Sequence, residues 1–128
     1  MTGDTLEQHA RERVAELPGA RLEHPFGPDW DVFKVRGRVF MLMTELNGAQ
    51  IVIVKADPED GKAMRAQHQG ITRGYHMNKQ HWITLHSGGD LTKDLVAELV
   101  TESYRLVVKN LPLAKRPVDP ETFGRSAP

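Results

Sequence analysis

Between Gly61 and Gly89 the chain carries no Asp or Glu, yet it holds Lys62, Arg65, Arg73, Lys79 and four of the six histidines. The formal net charge of zero hides this asymmetry, because the rest of the chain carries thirteen Lys and Arg against all seventeen acids. A basic segment inside an acidic frame speaks to the choice of partner more than net charge does. Its centre, Gly74-Tyr75-His76-Met77-Asn78-Lys79-Gln80-His81-Trp82, sets two aromatics and two histidines beside a lysine. Arg73, His76, Asn78, Lys79 and His81 could donate to phosphates, and Tyr75 could stack on a base. The same residues also suit a solvated strand pair, in which His76 and Asn78 cap a turn and Trp82 fills the core.

A second basic group, Lys34, Arg36 and Arg38, surrounds Gly37. At a hairpin tip it would form a second wing against a nucleic-acid groove, or simply guard a sheet edge with charge. Metal chemistry finds less support. His76, His81 and His86 are five residues apart, and on an alternating strand His81 and His86 point to opposite faces. Asp4, Glu7, Glu12 and Glu16 on the first helix read as a solvent face. Ser87 beside Gly88-Gly89 is a turn rather than a nucleophile site, and neither a phosphate-binding glycine loop nor a paired-carboxylate pocket is visible. The expectation is therefore a non-enzymatic protein with no metal and no cofactor.

At 128 residues and 14.4 kDa the chain is long enough to bury a single core. The absence of cysteine excludes disulfides, thiolate metal sites and a cysteine nucleophile. With neither a basic, apolar leader at the start nor an apolar run long enough for a membrane span, the expected location is cytoplasmic.

The elements that position these residues follow from periodicity. Leu6, Ala10, Val14 and Leu17 recur at helical spacing, and Pro18-Gly19 ends a first helix from about Thr5 to Leu17. Arg21 to His24 can make a short strand before the turn-rich Pro25-Phe26-Gly27-Pro28-Asp29. Asp31 to Arg36 alternates, with Phe33 and Val35 on one face and Lys34 and Arg36 on the other. Arg38 to Glu45 is apolar through its centre, and Asn47-Gly48 turns the chain into Gln50 to Lys55. Asp57-Pro58-Glu59-Asp60 starts a helix that reaches about Gln67. After a short extended piece between Gly70 and Gly74, Gln80 to His86 alternates as a strand. Leu91 to about Asn110 forms a long amphipathic helix capped by Asp90 or Thr92 and ended by Pro112.

This order, α-β-β-β-α-β-β-α, predicts an α+β two-layer sandwich: an antiparallel sheet with helices on one side and the other face partly exposed. A single domain is expected over residues 1–111, and residues 112–128, rich in proline, are expected to form a flexible tail.

Several of these segments together carry a family resemblance. Pro25-Phe26-Gly27-Pro28-Asp29 with Val32-Phe33-Lys34-Val35, then Lys55-Ala56-Asp57-Pro58-Glu59, then Gly74-Tyr75-His76-Met77-Asn78-Lys79 with His81-Trp82, and finally Ser103-Tyr104 resemble the MmcQ/YjbR family. The resemblance implies a fold related to secretion-chaperone-like and frataxin-like sheets, and a DNA-binding role through two hairpin wings. Gln80 stands where the family often has Arg, and Arg73 where proline is common. The expected partner is thus DNA, contacted through Lys34, Arg36, Arg38, Arg73, Tyr75, His76, Asn78, Lys79 and His81. The alternative is a protein or peptide partner received by the exposed sheet face or its edges, as in an adaptor or chaperone-like module.

Overall fold

The computed structural model describes residues 1–124. The chain begins with α1 (Gly3–Val14), then four strands, β1 (Ala20–Glu23), β2 (Asp31–Val35), β3 (Arg38–Leu46) and β4 (Ala49–Lys55). It continues with α2 (Pro58–Gln67), β5 (Ile71–Arg73), β6 (Trp82–His86), α3 (Lys93–Lys109) and a short 3-10 turn, Leu113–Lys115. The fold is α+β as expected, with one more strand before α2 than the expected three, because Ala20–Glu23 pairs fully with β2. All six strands are antiparallel, in the order β1-β2-β3-β4-β6-β5.

Local signals set the helix ends. The Thr2 hydroxyl accepts from Thr5 N at 3.1 Å, Asp57 accepts from Glu59 N at 3.0 Å, and Thr92 accepts from Leu95 N at 3.2 Å. Each satisfies a backbone donor that the helix itself leaves unpaired. α1 stops at Val14, and Leu17 joins the core from the turn that follows.

The helices cover one face of the sheet. Leu6, Ala10 and Val14 of α1 and Val96, Val100, Tyr104 and Val107 of α3 meet Phe33, Val35, Met41, Met43, Val52, Val54, Ile83 and Leu85. A register shift after Phe33 lets both Phe40 and Met41 turn toward this face. Ser103 fixes α3 to the sheet: its hydroxyl donates to Phe40 O at 2.5 Å and accepts from Lys55 N at 2.7 Å. Next to it the buried Tyr104 ring meets Phe40 edge-on at 5.5 Å, and its hydroxyl donates to Pro18 O. Burial pushes that hydroxyl's pKa up to about 12.

The opposite face differs from the expectation of partial exposure. Val32, Leu42, Ile51, Ile53 and Trp82 form a second core there, covered by Trp30, Tyr75 and Met77. Four aliphatic side chains on a wet face would be costly, and the loop between β5 and β6 folds back over them.

The expectation of a loose end beyond Pro112 also needs correcting as far as Gly124. Arg105 Nε donates to Pro120 O at 2.9 Å, Arg116 donates to Leu111 O and Lys109 O, and Phe123 lies 5.6 Å from Tyr104. The arginines supply the polar contacts and Pro120, Val118 and Phe123 the apolar ones that a proline-rich segment needs for docking. Residues 125–128 of the expected tail lie outside the described residues.

Candidate nucleic-acid interface

Sheet register decides which basic residues share a place. The β2–β3 turn is closed by the Val35–Arg38 pair, while β4 ends where Lys55 meets Trp82 and β5 ends where Arg73 meets Ile83. Arg36, Arg38, Lys55 and Arg73 therefore stand at one end of the sheet. Lys79 and His81 return to the same end, because Trp82 N donates to Asn78 O and Ala56 N donates to His81 O. With strands ~4.8 Å apart, the turn at Arg36–Gly37 and the β5–β6 connection are separated by roughly 14 Å.

Cations without an ion pair stand here. Among the described residues, Arg36, Arg38, Arg73 and Lys79 make no ion pair, and neither do Arg21, Lys55, Lys62, Arg65, Lys109, Lys115 and Arg116, whereas Arg11, Arg13, Lys34, Lys93 and Arg105 do. The Arg36 guanidinium donates through Nε to Lys115 O at 3.1 Å, and the residue has φ +50° at the turn. Lys79 reaches back toward Gly74 O at 3.4 Å, a contact too long to hold it. The acids at the start of α2 are near this end in space as well: Asp57 and Asp60 line a cleft with Lys55, although α2 itself sits on the helix-covered face, with Gly61 against Ile83.

The remaining candidates are placed elsewhere. Lys34 is paired with Glu23 of β1 at 3.2 Å and is only 21 % exposed, so its charge is already answered. Asn78 caps the loop by accepting from Gln80 N at 2.9 Å. His76 adopts φ +58°, and Tyr75 stacks on Trp30 at 6.2 Å with the planes 7° apart. This stack walls a polar cleft of about 600 Å³ lined also by Asp29, Asp31, Glu45 and Gln50. Tyr75 and His76 thus sit beside carboxylates, the wrong sign for phosphate.

Sequence reasoning missed the network behind that cleft. Asp31 receives Arg11 and, at 2.8 Å, His24, while Arg11 also pairs with Glu7. Burial pushes the Asp31 carboxyl up, but hydrogen bonds from His24 and Arg11, together with their charge, outweigh it and hold the group below its usual 3.8. A depressed carboxylate stabilises the fold above its unfolded value, and that contribution disappears as pH falls through the folded value. In urea denaturation, the stability gap between the wild type and Asp31→Asn is expected to shrink as pH drops below about 4. A gap that stays constant from neutral to acid pH would exclude this role. Lys55 was not among the sequence candidates because it reads as the last residue of a strand; only its position between the two wings brings it into view.

Half-buried at the end of β6, His86 is held below its ordinary pKa by desolvation, and its Nε2 lies 2.8 Å from the Thr72 hydroxyl. It stands at the other end of β6, opposite Ile51, and so is no part of the basic end. Among the described residues no three His, Asp or Glu side chains are placed to hold a metal ion, and no helix is long and apolar enough to cross a membrane.

Known proteins resemble this chain in sequence and fold. The chain is 40 % identical over 116 residues to the uncharacterised protein YbdF of Escherichia coli O157:H7, covering 91 % of this chain and 93 % of that protein. It is 34 % identical over 101 residues to the uncharacterised YjbR of E. coli K12, covering 77 % and 84 %. The crystal structure of Deinococcus radiodurans protein DR2400, a DUF419 domain, superposes with a TM-score of 0.81 at 33 % identity over 91 % of both chains. A crystal structure of a Pseudomonas syringae protein superposes at 0.65, with 26 % identity over 83 % of this chain and 98 % of that one. The YjbR family model matches residues 15–106, which include the sheet, its β2–β3 and β5–β6 connections and the Ser103-Tyr104 pair. With that match and these relatives, the chain belongs to the YjbR family.

Proposed function

We propose that this protein binds nucleic acid without enzymatic chemistry, gripping duplex phosphates with the sheet end that carries Arg36, Arg38, Lys55, Arg73, Lys79 and His81. The observation that carries the reading is the gathering of ion-pair-free cations on two projections at one end of the sheet. Their separation of roughly 14 Å is comparable to a major groove about 12 Å wide, so each projection can meet phosphates on one side of it. Such contacts position the protein and carry little sequence information. The adaptor reading is weaker, because its main contact surface, the sheet face, is covered by the protein's own Trp30, Tyr75 and Met77.

A labelled duplex titrated with the protein across a salt series tests this by fluorescence anisotropy. With about four phosphates neutralised, log affinity should fall against log salt with a slope of about −3 to −4. No binding even at the lowest salt would overturn the proposal.

A further inference from the structure

β1 is the outermost strand on its side of the sheet, and among the described residues no strand pairs with its outer edge. Arg21, Leu22 and Glu23 are all exposed; Leu22 is 45 % accessible although it pairs with the buried Phe33. Phe26, just beyond the strand, is 65 % accessible. The helix layer thus stops short of this edge and leaves two large apolar side chains in water. A strand edge of this kind is a template for further pairing unless it is guarded. A row of like charges would guard it; here the two charged side chains are of opposite sign.

We infer that β1 pairs antiparallel with β1 of a second copy of this chain, about a two-fold axis at Leu22, to form one continuous sheet. The charges are self-complementary in that register. Antiparallel pairing centred on Leu22 sets Arg21 of each copy opposite Glu23 of the other, on the same face of the sheet, and brings the two leucines together on the opposite face. An isologous contact requires a patch that complements itself, and Arg21-Leu22-Glu23 does so residue by residue, with the Glu23 carboxylate then shared between Lys34 of its own chain and Arg21 of the other copy.

The wider charge distribution agrees. Arg36, Arg38, Arg73 and Lys79 stand at the end of the sheet where β1 begins, and Asp29, Asp31 and Glu45 stand at the other. Antiparallel pairing of the edges reverses one copy, so the cationic end of each lies alongside the acidic end of the other. A net charge of zero adds no overall repulsion to oppose the association. Arg38, Arg73 and Lys79 lie two or more strands from β1, so the pairing leaves them accessible.

Sedimentation of the full chain over about a hundredfold range of concentration tests the inference, with circular dichroism confirming that each variant is folded. The wild type should move from 14.4 kDa toward twice that mass as concentration rises. Arg21→Glu sets Glu opposite Glu23 twice over and should weaken association about tenfold. The exchange Arg21→Glu with Glu23→Arg restores opposite charges across the axis, keeps an acid beside Lys34, and should recover the wild-type association. A wild type that stays at one monomer mass throughout would overturn the inference. So would an Arg21→Glu variant that associates normally, or an exchange variant that fails to recover.

Discussion

Arg38→Glu combined with Lys79→Glu is expected to lower duplex affinity about 100-fold at low salt and to flatten the salt slope by about 2. The two residues lie on different projections, Arg38 at the foot of the β2–β3 turn and Lys79 on the β5–β6 loop, and neither makes an ion pair in the described residues. Each substitution removes one phosphate contact and sets a carboxylate near the backbone, so the loss exceeds that of neutralisation alone. Either single reversal should have an intermediate effect, because the sites are far enough apart to act independently. Lys34→Gln is the internal comparison. Its ammonium is already held by Glu23, so its removal should change affinity by no more than about twofold. Equal losses for Lys34→Gln and Lys79→Glu in the same anisotropy assay would show that the unpaired end is not the contact surface.

Gly74→Val is expected to cost about 3 kcal/mol or more of stability. Gly74 N donates to Trp82 O at 2.9 Å, and a Cβ at this position would lie 2.6 Å from Trp82 Cβ and 3.0 Å from its carbonyl oxygen. Both atoms belong to Trp82 on β6, a strand paired on both sides, so neither can give way by rotating a side chain. The loop itself would have to lift. Tyr75 and Met77 would then leave Val32, Leu42, Ile51 and Ile53 exposed, and Trp30 would lose its stacking partner. Urea denaturation should report the loss, with tryptophan emission already shifted to the red and a hydrophobic dye bound before the main transition. Wild-type stability and emission would mean that the close approach of Gly74 to Trp82 does not hold the loop down.

Much of the fold could be read from local chemistry. Thr92 and Asp57 cap helices where the sequence placed them, Asn47-Gly48 joins β3 to β4, and the apolar run Val39 to Met43 fills a strand covered on both faces. The family motifs also correspond to structural duties. Ser103 ties α3 to β3 and β4, and Tyr104 closes the core onto Pro18. Trp82 is a core residue, as its place on an alternating strand suggested.

The candidate site was legible only as a set of residue types. Periodicity placed Lys34 on the face opposite Phe33 but could not show that Glu23, eleven positions earlier, neutralises it. Nor could it show that Tyr75 would meet Trp30, forty-five positions away, or that Arg36 would be steadied by a carbonyl of the C-terminal segment. The sequence by itself determined which segments form helices and strands, with ends placed to within a few residues, because capping, turn formation and apolar periodicity act over a few neighbouring residues. It also determined the charge imbalance between Gly61–Gly89 and the rest of the chain. Only the tertiary structure decided which of those charges remain free. The order β4-β6-β5 and the folding back of the loop after Gly74 bring together residues far apart in the chain, and whether a cation meets a carboxylate depends on that through-space distance.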